Sequence, residues 1–581
     1  MLSRLWIFIT LLSSRLRFVG TPHRRAPRRP GHPADWIAGQ SDPFAELAKM
    51  MGRPEARHQL LLGITPSGWN TSAERRNVAV IGATRGGKSG HLSTMVVTWP
   101  GLVVWVSARP EEAIRSTGLL RARMAGGVCN LMDLPVDGSR TPRGLKRCGW
   151  TPVSSDWERA QRVSQAIISS VEMERSGGFW STSAALGLAA FLFAAGLDGL
   201  PMEWVRRCVK RHDPKEAVDL LQASTAPGAA EAADELEGLA KMPDRTAGDV
   251  WATMGTALAA YASRSALDVT NEKPVDLAEA IRGRPDAPNP YLAVDEQDSP
   301  LGCYPTLYVR ANPTDQERLA VLICGVLADL WFTRNQSPDC APTLVVLDDM
   351  ASIATWKELP TVLSLSGGAG LIVVGVFHDE AQCRFRWGIA GDSMSTLFGE
   401  KLVFRGIQDE MTRARLSTST GMHWITRTNT SDGRSGGTLG GLIAGTSSPS
   451  WQQGSSTSDH QVPGLTPAEI SDGHPAHEQI VLSFHPHSWE WAWSTPYWSA
   501  EPSPLWLKAQ VTSMLLLARR PDLEALDLPE PPDLHRDGGK RLMACGLFYD
   551  YFAAAGGLRY AREGDDDPPP PEHIDPSQAP T

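Results

Sequence analysis

Eight residues, Gly82-Ala83-Thr84-Arg85-Gly86-Gly87-Lys88-Ser89, constrain this chain more than any others. They fit G-x-x-x-x-G-K-[ST], a phosphate-cradling loop that belongs between a buried strand and a helix N-terminus. The flanks supply both. Asn77-Val78-Ala79-Val80-Ile81 is a short β-rich apolar run, and Leu92, Met95, Val96 and Val97 return at roughly helical spacing after the loop. Gly82, Gly86 and Gly87 let the backbone approach phosphate oxygens without a Cβ in the way. The helix start, through Gly90, aims further amides at the same point. Here Lys88 would reach the β- and γ-phosphates of ATP, and the Ser89 hydroxyl would bind Mg²⁺.

At 581 residues the chain is too long for one compact core, so two or three domains are expected. A formal net charge of −9 argues against a protein that coats nucleic acid non-specifically, yet leaves room for a local basic channel. Eight cysteines without a C-x-x-C pair indicate neither a zinc site nor a disulfide framework, and fit the cytosol. Near the start, Arg4, Arg15, Arg17, Arg24, Arg25, Arg28 and Arg29 precede any acid and bracket the apolar run 5–12. That run is far short of the roughly 20 residues a spanning helix needs. It reads either as an interfacial membrane anchor, or remnant of a longer membrane segment, or as a disordered start. Residues 184–197 are very apolar but again too short to span, which predicts a buried core helix.

Five segments follow. Residues 1–59 are the basic N-terminal segment, with a short amphipathic helix over 43–51. Residues 60–150 alternate strand and helix: strands at 60–63, 77–81, 101–106 and 129–132, with a helix over 111–124. Residues 151–295 are helical with few plausible strands and read as an inserted all-α domain. Strands return within 296–505, at 306–310, 343–347, 371–377, 401–405 and 479–484, with a helix over 314–334. The fold class is therefore α/β, with a mainly parallel sheet interrupted by the insertion. Within it, 417–460 is dominated by Ser, Thr and Gly and reads as a mobile surface loop. Trp489, Trp491, Trp493 and Trp498 alternate as one packed strand face would, stacking on nucleic-acid bases being the alternative. Residues 506–581 end in an acidic, proline-rich tail expected to stay disordered.

The other half of a nucleotide site is legible at Thr343-Leu344-Val345-Val346-Leu347-Asp348-Asp349, an apolar strand ending in two carboxylates. In a parallel sheet that end lies beside the phosphate loop. Asp348 would hold the metal's water shell, and Asp349 would polarise the attacking water. His378 follows the strand 371–377, where such sheets carry a polar residue that senses the γ-phosphate; a plain loop histidine is the alternative. Arg405 is the first choice for an arginine finger acting from a neighbouring subunit, ahead of Arg413 and Arg415.

The phrases GATRGGKSG, LVVWVSARPEEAIRSTGLLRAR and LVVLDDMASIATWKELPTVLSLSGGAGLIVVGVFHDEAQ together resemble the TraG/TraD-like type IV coupling proteins, in the FtsK/HerA group of DNA-pumping ATPases. The resemblance runs from about residue 60 to 499. It implies a RecA-like motor domain and a homo-hexamer at the cytoplasmic face of the cell membrane. It also implies ATP-driven transfer of single-stranded DNA with its attached relaxase into a type IV secretion channel, with relaxosome proteins as partners. The helical domain would contact DNA or protein cargo. Three departures stand out: Asp349 where the family usually has Glu, His378 for the usual Gln, and Arg109 for the common Lys. The family's two transmembrane helices are absent or reduced to 5–12. A non-hydrolysing scaffold that recruits secretion substrates is the alternative. A septal-type double-stranded DNA translocase would need a C-terminal winged helix, and no such pattern follows residue 502.

Overall fold

The computed structural model describes residues 59–65, 68–99, 101–107, 117, 121, 129–134, 146–171, 178–285, 304–311, 316–353, 356–433, 452–475 and 478–494. The basic N-terminal segment, most of the helix expected over 111–124, Arg109, Trp498 and the acidic tail lie outside them. The chain divides into two compact units, one of which contains residues 410–472.

The larger unit is built on a sheet of twelve strands. In chain order they are β1 (Leu61–Thr65), β2 (Gly68–Thr71), β3 (Val78–Ile81), β4 (Val103–Ser107), β5 (Cys129–Leu134), β6 (Lys146–Arg147) and β7 (Thr306–Ala311). After them come β8 (Thr343–Asp348), β9 (Leu371–Phe377), β10 (Glu400–Val403), β13 (Ile480–His485) and β14 (Ser488–Trp493). Strands β11 (Met422–Gly433) and β12 (Gln452–Pro463) belong to the smaller unit. The spatial order in the large sheet is β2-β1-β14-β13-β10-β3-β9-β8-β4-β7-β5-β6. From β10 to β6 every pairing is parallel; from β10 back to β2 every pairing is antiparallel.

The parallel part explains the unbroken apolar runs. A parallel strand covered on both faces cannot alternate apolar with polar residues. All of β3, β4 and β9 is buried. Val78, Val80, Val103, Trp105, Leu344, Val346, Ile372, Val374 and Val376 share one core with Leu92, Met95 and Val96 of helix α1 (Lys88–Thr98). Each Val, Leu or Ile buried there stabilises the fold by about 1.5–3 kcal/mol relative to exposure.

Between β6 and β7 the described residues form helices: α2 (Trp157–Val171), α3 (Gly178–Leu197), α4 (Met202–Arg211), α5 (Lys215–Ala223), α6 (Ala229–Ala240), α7 (Asp244–Ala257), α8 (Arg264–Asn271) and α9 (Leu277–Arg282). Helix α3 is 20 residues, longer than the stretch 184–197 read from the sequence and long and apolar enough to cross a membrane, but Leu188 to Ala195 are all buried, as in a core helix. Helix α10 (Gln316–Asn335) is buried throughout 319–330, with α2 packed along it. At that seam Asp329 accepts from Arg159 Nε at 3.0 Å, Arg159 Nη2 at 2.8 Å and Trp150 Nε1 at 2.9 Å.

The tryptophan segment is strand β14, paired with β13 in the register Ile480↔Trp493, Leu482↔Trp491 and Phe484↔Trp489. Trp493 is buried and Trp491 packs half-buried beside it, so side-chain packing accounts for the alternation.

The smaller unit holds one departure from expectation. Residues 417–460 are not a loop throughout: β11 and β12 pair antiparallel over twelve residues each. Ser/Thr/Gly composition carries no apolar alternation to read, yet the ladder is made by backbone groups, and threonine favours extended backbone. The hairpin lies between helices Glu410–Ser419 and Pro467–Asp472.

Candidate active site

Four neighbouring parallel strands, β3, β9, β8 and β4, deliver their carboxyl ends to one place. β3 supplies the loop 82–87, β9 leads into His378, β8 ends on Asp348, and β4 ends on Ser107. A Cβ on Gly82 would lie 2.6 Å from the Phe404 Cβ, so only glycine lets the loop pass the chain leaving β10. Gly87 has φ 92°, left-handed backbone that glycine adopts freely, and it turns the chain into α1. No side chain caps that helix start, so its first amides keep their donors for a ligand. Gly90 is buried in the first turn, while Thr84 and Arg85 are exposed at the loop's rim and Ala83 is half-buried.

Lys88 is buried and folded back on its own loop. Its Nζ donates to Gly82 O at 2.6 Å and Ala83 O at 2.8 Å, and lies 3.2 Å from His378 Nδ1. That nitrogen is also 3.1 Å from Gly82 O. One tautomer of His378 accepts from Lys88 and the other donates to Gly82, and Nδ1 cannot do both at once. Burial lowers the Lys88 ammonium pKa to about 8, against the opposing pull of Asp348 and Asp349. His378 is tied onward by its backbone N–H, which donates to Gln382 Oε1 at 3.1 Å.

Asp348 faces the loop. Ser89 Oγ donates toward its carboxylate at 3.4 Å, and Ser107 Oγ donates to Oδ2 at 3.1 Å. Burial pushes the Asp348 carboxyl pKa up to about 6, and Asp349 adds to that rise. The hydrogen bonds from Ser107 and Ser89 and the charge of Lys88 act in the other direction. Asp349 has left-handed backbone, φ 67°, a conformation that Asp tolerates better than most side chains. Its carbonyl accepts from the N–H groups of Ser352 and Ile353 and so starts the short helix Met350–Ile353. Its Oδ1 is buried and hydrogen-bonded to nothing among the described residues.

These features fit a nucleotide with Mg²⁺. Uncapped amides and Lys88 suit phosphate oxygens, and the Ser89–Asp348 gap suits a cation. The orphaned Asp349 oxygen suits water or a reacting group. Among the described residues no three His, Cys, Asp or Glu side chains cluster as a metal cage. Mg²⁺ usually needs no such cage, since it binds one or two carboxylates plus substrate phosphates.

The structure thus brings together Lys88, Ser89, Asp348, Asp349 and His378. It does not bring the Arg405 guanidinium to them. The backbone of Arg405 passes the loop, its carbonyl 3.8 Å from where a Gly86 Cβ would be, but its Nη2 pairs with Glu478 at 2.5 Å. Arg413 and Arg415 lie on the helix Glu410–Ser419, in the smaller unit.

Ser107 is the site residue that the sequence did not single out. Its signal was weak: a hydroxyl immediately after a buried strand, far along the chain from Asp348. Ser107→Ala removes the hydrogen bond that orients Asp348. Loss of such outer partners typically weakens metal sites by about 10–100-fold. A magnesium titration of nucleotide binding should show a half-saturation point about tenfold higher; an unchanged one would remove Ser107 from the site.

Comparison with known proteins agrees with this geometry. Residues 342–472 match the family described as "TraM recognition site of TraD and TraG". No curated protein matches the chain. Among solved structures, the bacterial conjugative coupling protein TrwBdeltaN70 in its unbound form superposes with TM-score 0.54 at 15% identity, over 82% of this chain and 95% of that one. TrwB in complex with the GTP analogue GDPNP gives 0.53 at 15% identity, over 82% and 96%. TrwB in complex with ADP and Mg²⁺ gives 0.51 at 16% identity, over 83% and 97%. The chain therefore has the fold of the conjugative coupling protein TrwB, and its residues 342–472 match the family described by the TraM recognition site of TraD and TraG.

Proposed function

We propose that this protein is a Mg²⁺-dependent ATPase that couples a relaxase-bearing single strand of DNA to a type IV secretion channel and drives the strand through it. One observation carries the reading. Ser89 meets Asp348 across 259 residues of sequence, and the charge of Asp348 acts on Lys88 beside it, at the carboxyl ends of β3 and β8, which flank β9 in the parallel sheet. Lys88 and the α1 amides would hold the transferring phosphoryl group, and Asp349 would take a proton from or orient the attacking water. Ser89 and Asp348 would hold Mg²⁺, which would supply positive charge beside the phosphates. His378 would register the departure of Lys88 from Gly82 and pass it to Gln382. The match over 342–472 supports a relaxosome protein of the TraM kind as partner. Arg405 would serve a neighbouring copy after leaving Glu478, which requires a homo-hexamer or similar ring. The arginines before residue 30 support a place at the cytoplasmic face of the membrane.

A second reading keeps nucleotide binding but not hydrolysis, as a scaffold that gathers secretion substrates. Its support is Asp349, a short carboxylate on left-handed backbone where the family usually has Glu. Phosphate release measured over a protein-concentration series, with and without single-stranded DNA, separates the two. Turnover per subunit that rises with concentration and with DNA is expected. A negligible rate under all conditions would leave the scaffold.

A further inference from the structure

Helices α4 and α7 leave between them a groove of about 300 Å³, lined by Arg206, Lys210, His212, Trp251, Gly255 and Leu258 among others. That volume is at the lower end for a ligand site. None of the lining residues is acidic. Among the described residues neither Arg206 nor Lys210 pairs with a carboxylate, whereas their neighbour Arg207 pairs with Glu216. Deeper in, the exposed His212 ring stacks on the buried Trp251, centroids 5.2 Å apart and planes 13° from parallel. His212 is placed there by backbone. It caps α4 in the left-handed conformation, φ 54°, donating its N–H to Cys208 O and Val209 O. Opposite, a Cβ on Gly255 would meet nothing within 4 Å. Packing therefore does not require glycine at that point of the helix, and its effect is to keep the groove open.

We propose that this groove binds one nucleotide unit: the base on the His212–Trp251 stack, the phosphate against Arg206 and Lys210. Aromatic faces accept any base, and paired cations follow a phosphodiester backbone. An acidic peptide would use the cations and leave the ring stack without a role. The inference deepens the strand-moving reading above and rests on it for the origin of the strand.

The test uses the full chain and two probes, a labelled oligothymidylate and, in a Lys88→Ala background, labelled thymidine monophosphate. Gly255→Trp places a bulky side chain at the groove from a position where an added Cβ meets nothing within 4 Å. His212→Asn keeps a residue suited to left-handed backbone and removes the ring. Both should weaken binding by about tenfold or more, the scale of one base stack. Arg206→Gln with Lys210→Gln should flatten the salt dependence of oligonucleotide affinity by about 0.7 in log–log slope for each phosphate no longer neutralised. Nucleotide turnover measured without DNA, in the protein that keeps Lys88, should not change in any of the groove variants. A loss confined to the oligonucleotide identifies a strand as the source, and a loss of both probes admits the free nucleotide. Wild-type affinity for both probes in folded Gly255→Trp and His212→Asn overturns the proposal, as does binding of polyglutamate with neither probe. The P-loop assay fails separately: without turnover, these titrations still read the groove.

Discussion

Lys88→Ala should lower ATP turnover by at least roughly 10²–10³-fold, the effect of removing one preorganised electrostatic partner from a developing charge. The protein should stay folded. Lys88 Nζ is held only by the loop carbonyls of Gly82 and Ala83 and by His378 Nδ1, so truncation leaves loop acceptors that water or His378 can satisfy. The neighbouring core of β3, β9 and α1 contains none of the deleted atoms. Steady-state phosphate release, alongside a circular-dichroism melt, checks both halves of the statement. Turnover within a few fold of wild type would mean that the loop does not bind the reacting phosphates, and the ATPase assignment would go with it.

The second large effect is structural. Asp329→Ala should destabilise the seam between α2 and α10 by about 3 kcal/mol, the lower end for breaking a buried ion pair at one partner. Asp329 keeps only 5% of its side chain in solvent and accepts from both Arg159 and Trp150. Removing it strands a guanidinium and an indole N–H. Arg159 is 24% exposed and still donates to Val153 O and Thr151 O, which moderates the cost. A chain of this size does not unfold in one step, so a single melting temperature is the wrong readout. Hydrogen exchange of α2 and α10 amides is the right one, and protection within about 0.5 kcal/mol of wild type would count against the seam. Pairing Asp329→Leu with Arg159→Met should recover part of the stability, because replacing both ions removes the unpaired charge.

The parallel core and its phosphate loop were legible because their physics is local. Continuous apolar runs mark strands covered on both faces, and G-x-x-x-x-G-K-S marks the turn. The pairing of that loop with Asp348 was legible from an apolar strand ending in carboxylates, because parallel strands bring such ends to one edge, although no periodicity relates residues 259 apart. Ser107 was hidden for a related reason: one hydroxyl has no pattern, and its meaning comes from β4 lying beside β8. The ladder of β11 with β12 was hidden because backbone groups write no sequence signature. The alternation at Trp489, Trp491 and Trp493 did announce a strand, but not that β14 would pair with β1.

Strand order also dictates a timetable for synthesis. β3 has β9 on one edge and β10 on the other, and both are translated long after it. His378, which closes β9, lies 296 residues beyond Gly82. At about 5–20 residues per second, a nascent β3 waits roughly 15–60 s with both edges bare. The helices between β6 and β7 emerge during that interval and can settle first. The ribosome-bound intermediate therefore exposes an apolar, unpaired strand for most of its existence, which makes it a natural client for holdase chaperones.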